Sequence, residues 1–343
     1  MLIALASSSK KWFDLLGRFE SLGGVAQNVY QREGSNGRGI FPVDPSCCSR
    51  ILVPRNLLIE RKFVEFRDGA FVIDQRSDVP QKEKIFFEDY YNELSWGNNG
   101  SRDSLAFLEF IKSLSAEIKD SLRSFKFIDE RLLQYRGLSS QVQERFIDER
   151  VVQFDSKSVL APMWELVNHS SFSAPFRITP GGLETPPLDC SGEEVLFKYQ
   201  GMYSPMAAWR KYGFAPKCIL AYSIPFQVKV SEFGIQLSCL GSQLWDLDSS
   251  KRVVVCSEGR SVTVSALPIG CISPALVLSN LASVFACFGA SQQILRKYYE
   301  KICEINLSAR FKMLNGLQAD SELVKSLKYE IDLIKNSSCG FTI

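Results

Sequence analysis

Residues 84 to 150 read as helix, yet the residues before and after them read as strand and turn. The clearest helical run is "DSLAFLEFIKSLSAEIKDSL", in which Asp103 is a candidate cap and Leu105, Leu108, Ile111, Leu114 and Ile118 fall on one apolar stripe. Before it, "GVAQNVY", "GRGIFPV", "SRILVPRNLLI" and "RKFVEFRDGAFVID" carry strand-type residues, and Asp68-Gly69 joins two alternating runs as a hairpin turn would. After it come "SVLAPMWELVNHSSF", "PFRIT", a Gly181-Gly182 turn, "EEVLFKY" and a short helix, "SPMAAWRKYGF". This order predicts an α+β chain whose β-rich core is split by a helical insert.

The remaining segments complete the expected organisation. Residues 1–22 hold a helix with Ser9 as its cap, Trp12, Leu15, Leu16, Phe19 and Leu22 on one face, and Gly23 and Gly24 as its stop. The core then occupies 23–83, the insert 84–150 and the second part of the core 151–222. Beyond a boundary near Ser223, short strands over 226–265 precede two or three long helices, so 223–343 is expected to be a mostly helical domain.

Several function classes are disfavoured. Forty Lys and Arg stand against 38 Asp and Glu with no long run of one sign, so no nucleic-acid groove is expected. No run of 18 apolar residues exists, so no membrane span is expected. Ten cysteines never form C-x-x-C, which argues against a zinc ribbon and fits reduced thiols in a cytoplasmic or nuclear-type compartment. The even spacing of Cys271, Cys287 and Cys303 reads as chance burial in helices.

One histidine, His169, serves all 343 residues. A Ser-His-Asp hydrolase would depend on it, but the α/β-hydrolase form also needs G-x-S-x-G, which is absent. A deaminase would need H-x-E and P-C-x-x-C, also absent. The glycines of "GSNGRGIFPVDP" invite a phosphate-loop reading, but Pro42 and Pro45 follow where a helix would have to open. The segment reads instead as a glycine turn running into a strand, where backbone can approach a ligand closely.

Four regions in order, "NGRGIFPV" with "ILVPRNLLI", "VLAPMWELVNHS", "GEEVLFKYQGMYSP" and "WRKYGFAP", resemble the SET-domain protein methyltransferases, in particular the subgroup of the Rubisco large-subunit lysine methyltransferases. The resemblance spans about residues 23–222 and implies a β-rich SET core of small curved sheets with a knot-like crossing, followed by a C-terminal domain that docks a protein substrate. It implies S-adenosyl-L-methionine as cofactor and a lysine side chain of a non-histone protein as acceptor. By the same resemblance, Gly37, Arg38, Gly39 and Ile40 would wrap the cofactor, Asn168 and His169 would hold its adenine and carboxypropyl ends, and Arg150 would contact its carboxylate. Tyr199 would stand at the methyl-transfer channel, with Tyr212 as the second aromatic. Methyl transfer from a sulfonium needs no metal and no general base of the usual kind, which suits a chain with a single histidine.

Two departures from the subgroup are visible: Glu165 stands where Asp is usual and Pro205 where Asn is usual. The second has a benign reading, with Ser204 capping a helix and Pro205 in its first turn. The alternative function is a SET-fold binding module or scaffold that has lost catalysis. Outside the resemblance, Tyr199 and Tyr212 read as core aromatics, the Asn-His pair as a buried turn, and Trp164 and Trp209 as packing residues.

Overall fold

A computed structural model describes residues 2–35, 37–134, 137–186, 194–199, 204–241, 255–258 and 260–339. Of the segments quoted above, Asn36, Gly192, Glu193 and residues 200–203 lie outside the described residues. The chain is an α+β protein of small sheets and many helices; the described residues are 48% helical and 24% strand. It divides into two compact units, one of residues 1–108 and 136–200, the other of 109–135 and 201–343.

In the first unit, strands from either side of the helical stretch pair with each other. A four-stranded antiparallel sheet runs in the order Val25–Gln27, Arg50–Pro54, Gly182–Glu184, Arg177–Thr179. A second sheet joins Ile59–Glu60 to Lys157–Leu160 and Val151–Phe154. The insertion is therefore topological: the chain leaves one sheet, forms helices and returns to the same sheet. Alternation places Ile51, Val53, Leu160 and Leu183 in the core with no measurable exposure. Each such side chain contributes roughly 1.5–3 kcal/mol by leaving water. The hairpin Val64–Arg67 with Ala70–Ile73 turns on Asp68 and Gly69, both at positive φ, as the sequence predicts.

Three local expectations are corrected. The first helix spans Leu2–Ser21, so position 9 lies inside it and not at its start, although Trp12, Leu15 and Phe19 are buried as expected. The stripe expected as one helix is two, Ser101–Ser113 and Ala116–Ser124, because Ser115 accepts a hydrogen bond from the Ile118 amide and starts a new helix. Asp103 is no cap, since its helix follows directly on a π-helix, Tyr91–Gly100. The run Gly97-Asn98-Asn99-Gly100 holds poor α-helix formers, and the wider turn is easier to adopt there.

The second unit contains the helix Pro205–Tyr212, whose N-cap Ser204 accepts from the Ala207 amide with Pro205 in the first turn. Its main sheet orders Phe226–Val230, Ile235–Cys239, Ser261–Val264 and Val255–Glu258, with Ile235–Cys239 and Ser261–Val264 parallel. Helices Pro274–Phe285, Gln292–Asn315 and Glu322–Cys339 follow. Cys271 ends a strand, so the even cysteine spacing has no helical basis. At the centre, Arg310 and Glu330 form a fully buried ion pair at 2.6 Å. Glu330 also accepts from the Met206 amide, and Arg310 donates to the Tyr222 carbonyl. Ser223, the boundary expected from sequence, lies within this unit and accepts from Asn306.

Candidate functional site

The glycine strand, the Asn-His strand and the strand after Glu194 meet in the first unit. Gly37–Phe41 pairs antiparallel with Tyr30–Gly34, so a strand follows the glycines, as their reading as a turn requires. Asn168–His169 pairs in parallel with Leu196–Phe197. The glycine strand is tied to both: the Asn168 amide nitrogen donates to the Arg38 carbonyl at 3.1 Å, and the Val195 amide donates to the Ile40 carbonyl at 2.8 Å. Five of the expected site residues, Arg38, Gly39, Ile40, Asn168 and His169, thus sit within one set of hydrogen bonds.

The two glycines of G-x-G have different causes. Gly37 is exposed at φ +82° with open space where a Cβ would be, so it is a turn glycine. Gly39 is buried, and a Cβ there would fall 2.1 Å from Oε1 of Glu194 and 2.9 Å from Nδ2 of Asn168. Those two side chains close on the glycine backbone and on each other, Asn168 Nδ2 donating to Glu194 Oε1 at 2.5 Å. Glu194 was not among the residues expected from sequence; the glycine's tolerance of close approach was the available signal, and it did not say what approaches.

His169 cannot serve as a base near neutral pH. The Tyr199 amide donates to its Nδ1 at 3.0 Å, which fixes the neutral tautomer with hydrogen on Nε2, and Nε2 lies 2.9 Å from Ser171 Oγ. Burial, aided by the nearby charge of Lys198, pushes its pKa down to about 4. Its ring lies 5.1 Å from that of Tyr199, which in turn lies 5.2 Å from Phe197, and Phe197 lies 4.8 Å from Trp164. The Tyr199 hydroxyl donates to the Val167 carbonyl at 2.8 Å, so its oxygen keeps lone pairs that can accept.

Both arginines expected at the site direct their guanidinium groups toward the π-helix. Arg38 donates to the Leu94 carbonyl, and Arg150 Nε donates to Ser95 Oγ at 2.8 Å. Arg150 also forms a buried ion pair with Glu165 at 2.6 Å and a longer one with Glu149 at 3.3 Å. Burial alone would lower the Arg150 pKa, but Glu165 and Glu149 outweigh it and hold the guanidinium charged. Glu165, the first departure from the subgroup, therefore has a structural partner. It belongs to the turn Trp164–Leu166, entered through buried Met163 at φ +68°, a left-handed conformation that costs a non-glycine residue about 1–2 kcal/mol. Such outliers persist where the surroundings over-determine them.

Tyr212 belongs to the second unit, at the end of Pro205–Tyr212, with its ring 6.0 Å from that of Phe214. Among the described residues, no group of three or more His, Cys, Asp or Glu is placed to hold a metal ion, and no helix is long and apolar enough to cross a membrane.

No protein-family model matches the chain, and no curated protein matches it. Among solved structures it is similar to Rubisco LSMT bound to AdoMet, at 15% identity over 96% of this chain and 91% of that one, with a TM-score of 0.45. It is also similar to the SET domain of LSMT bound to lysine and AdoHcy, at 15% identity over 96% and 90% with a TM-score of 0.43. A third likeness is to Rubisco LSMT bound to sinefungin and monomethyllysine, at 16% identity over 96% and 91% with a TM-score of 0.43.

Proposed function

We propose that the chain is an S-adenosylmethionine-dependent protein methyltransferase acting on a lysine side chain of a non-histone protein. The observation that carries the proposal is the meeting of Gly39, Asn168, Glu194 and Tyr199 in one hydrogen-bonded crossing beside aromatic rings, with the only histidine held neutral. The group set fits such a cofactor: carbonyl oxygens and a carboxylate suit cationic centres, and the partly buried ring of Tyr199 suits a flat base or a sulfonium.

When bound, the cofactor would supply an electrophilic methyl on a sulfonium that departs neutral, so the protein need not stabilise a leaving-group charge. What the protein must do is present the acceptor amine unprotonated and in line. In water, with a lysine pKa near 10.4, this costs about 4–5 kcal/mol at pH 7. Low-dielectric surroundings disfavour the ammonium form and reduce that cost. In this reading Tyr199, its hydrogen engaged by Val167, accepts a hydrogen bond from the amine and orients its lone pair. His169 takes no proton; it receives the Tyr199 amide and so fixes where that tyrosine begins. We assign Tyr212 as a second channel aromatic and the C-terminal region as the dock for the substrate protein, in a cytoplasmic setting.

Calorimetry with S-adenosylmethionine and S-adenosylhomocysteine is the direct test. Absence of binding by both at millimolar concentration refutes the proposal. If they bind, labelled cofactor incubated with a lysate should label a protein band, and Tyr199→Phe should cut that labelling sharply at nearly unchanged cofactor affinity.

A further inference from the structure

We infer that Glu322 and Glu330 are positioning residues for Tyr212: two carboxylates of one C-terminal helix take backbone amides at the two ends of the short segment that carries the tyrosine. This rests on the channel role proposed for Tyr212 and deepens it.

The helix Pro205–Tyr212 has eight residues, too few to hold its place by internal hydrogen bonds alone. Its start is closed by side chains. Pro205 brings no amide hydrogen, the Ala207 amide donates to Ser204 Oγ, and the Met206 amide donates to Glu330 Oε1 at 3.4 Å. Glu330 is itself held, because its Oε2 accepts from Arg310 Nε at 3.0 Å and Nη2 at 2.6 Å within a fully buried pair. At the other end Gly213 follows Tyr212 at φ +81°, with no Cβ to narrow its conformations, so the path out of the tyrosine depends on what holds the next residues. The Ala215 amide donates to Glu322 Oε2 at 2.9 Å. Glu322 and Glu330 stand eight positions apart on Glu322–Cys339, on one face of that helix and about 12 Å apart along it. The later carboxylate takes the earlier amide and the earlier carboxylate the later one, so the two segments run antiparallel and Tyr212 lies between two fixed points.

Glu322 gives the cleaner test, because its side chain is 38% exposed and its removal spares the buried pair. In Glu322→Ala, the initial rate at which labelled S-adenosylmethionine marks the lysate band should fall at least fivefold. The dissociation constant of S-adenosylhomocysteine, from calorimetry on the full chain, should change less than twofold. Glu322→Gln keeps an oxygen for the Ala215 amide and should retain at least half the wild-type rate. Lys325→Met removes the ion pair that Glu322 forms through Oε1 and should leave the rate unchanged. With ring-labelled tyrosine, the NMR signal that disappears in Tyr212→Leu should shift in Glu322→Ala and stay in place in the other two variants. The inference is overturned if Glu322→Ala keeps the wild-type rate or leaves that signal in place, if it weakens S-adenosylhomocysteine as much as it slows labelling, or if Glu322→Gln or Lys325→Met reproduces the loss. Tyr212→Leu labelling at the wild-type rate would overturn the channel role of Tyr212 and this inference with it, whereas a slow Tyr212→Leu beside an unaffected Glu322→Ala would overturn the inference alone.

Discussion

Replacing Glu165 by alanine should destabilise the first unit through Arg150 and not through the cofactor. The pair spans 2.6 Å, and the side chains are only 15% and 8% exposed. Removing one partner of a buried ion pair costs about 3–5 kcal/mol because the other charge is left without compensation. Arg150 keeps Glu149 at 3.3 Å and the Ser95 hydroxyl, which argues for the lower end, about 3 kcal/mol. For a unit of this size that corresponds to a fall in Tm of about 6–12 °C. A double variant, Arg150→Met with Glu165→Met, removes both charges and fills similar volume, so it should recover to within about 1–2 kcal/mol of wild type. Thermal melts followed by tryptophan fluorescence would report this, because Trp96 and Trp164 lie in the same unit. Calorimetry on the same proteins supplies the decisive comparison. If Arg150→Met leaves Tm within 2 °C while abolishing cofactor binding, the arginine is a cofactor contact and the ion-pair account is wrong.

Other outcomes follow from the same geometry. Gly39→Ala must displace Glu194 or Asn168, costing about 1–3 kcal/mol, and should lower cofactor affinity at least tenfold. Gly37→Ala meets open space and costs only the left-handed conformation, about 1–2 kcal/mol, with affinity unchanged; equal affinity losses would contradict the assignment. His169 gives the only histidine resonance in an NMR titration, and its midpoint should lie near 4; a midpoint near 6.5 would show the ring to be solvated. Because its folded pKa is depressed, its contribution to stability is complete above about pH 6.5 and is lost as pH falls toward 4. Arg310→Met strands Glu330 and should cost about 3–5 kcal/mol by denaturant unfolding, with Arg310→Met/Glu330→Leu recovering most of it.

What sequence could reveal here depended on whether the signal was local. The Asp68-Gly69 hairpin and the Ser204-Pro205 helix start rest on neighbours in sequence, and both are found. The order of strand, helix and strand conveyed the split core, since pairing of Ile59–Glu60 with Lys157–Leu160 needs only that both be strands. The break at Ser115 was missed because the apolar stripe continues through it: Ile111, Leu114 and Ile118 are all buried although they belong to separate segments. Glu194 was missed because its reason, the Cβ-free backbone of Gly39, lies far away in sequence. In sequence Glu165 is only a departure from the usual Asp; its distance to Arg150 shows what the carboxylate pairs with.

The π-helix adds a physical link that no motif contained. Tyr91–Gly100 receives Arg38 from the glycine strand at Leu94 and Arg150 from the end of the Leu138–Arg150 helix at Ser95, the adjacent residue. A widened turn exposes carbonyls that an α-helix would shield, so it can accept a side chain without losing its place in the helix. The strand bearing Gly39 and the turn bearing Glu165 are thereby anchored to neighbouring points on one element. The guanidinium groups of Arg38 and Arg150 tie the glycine strand and the Trp164–Leu166 turn to this element. A substitution that shifted 91–100 back to α-helical register would rotate Leu94 and Ser95 away from both arginines.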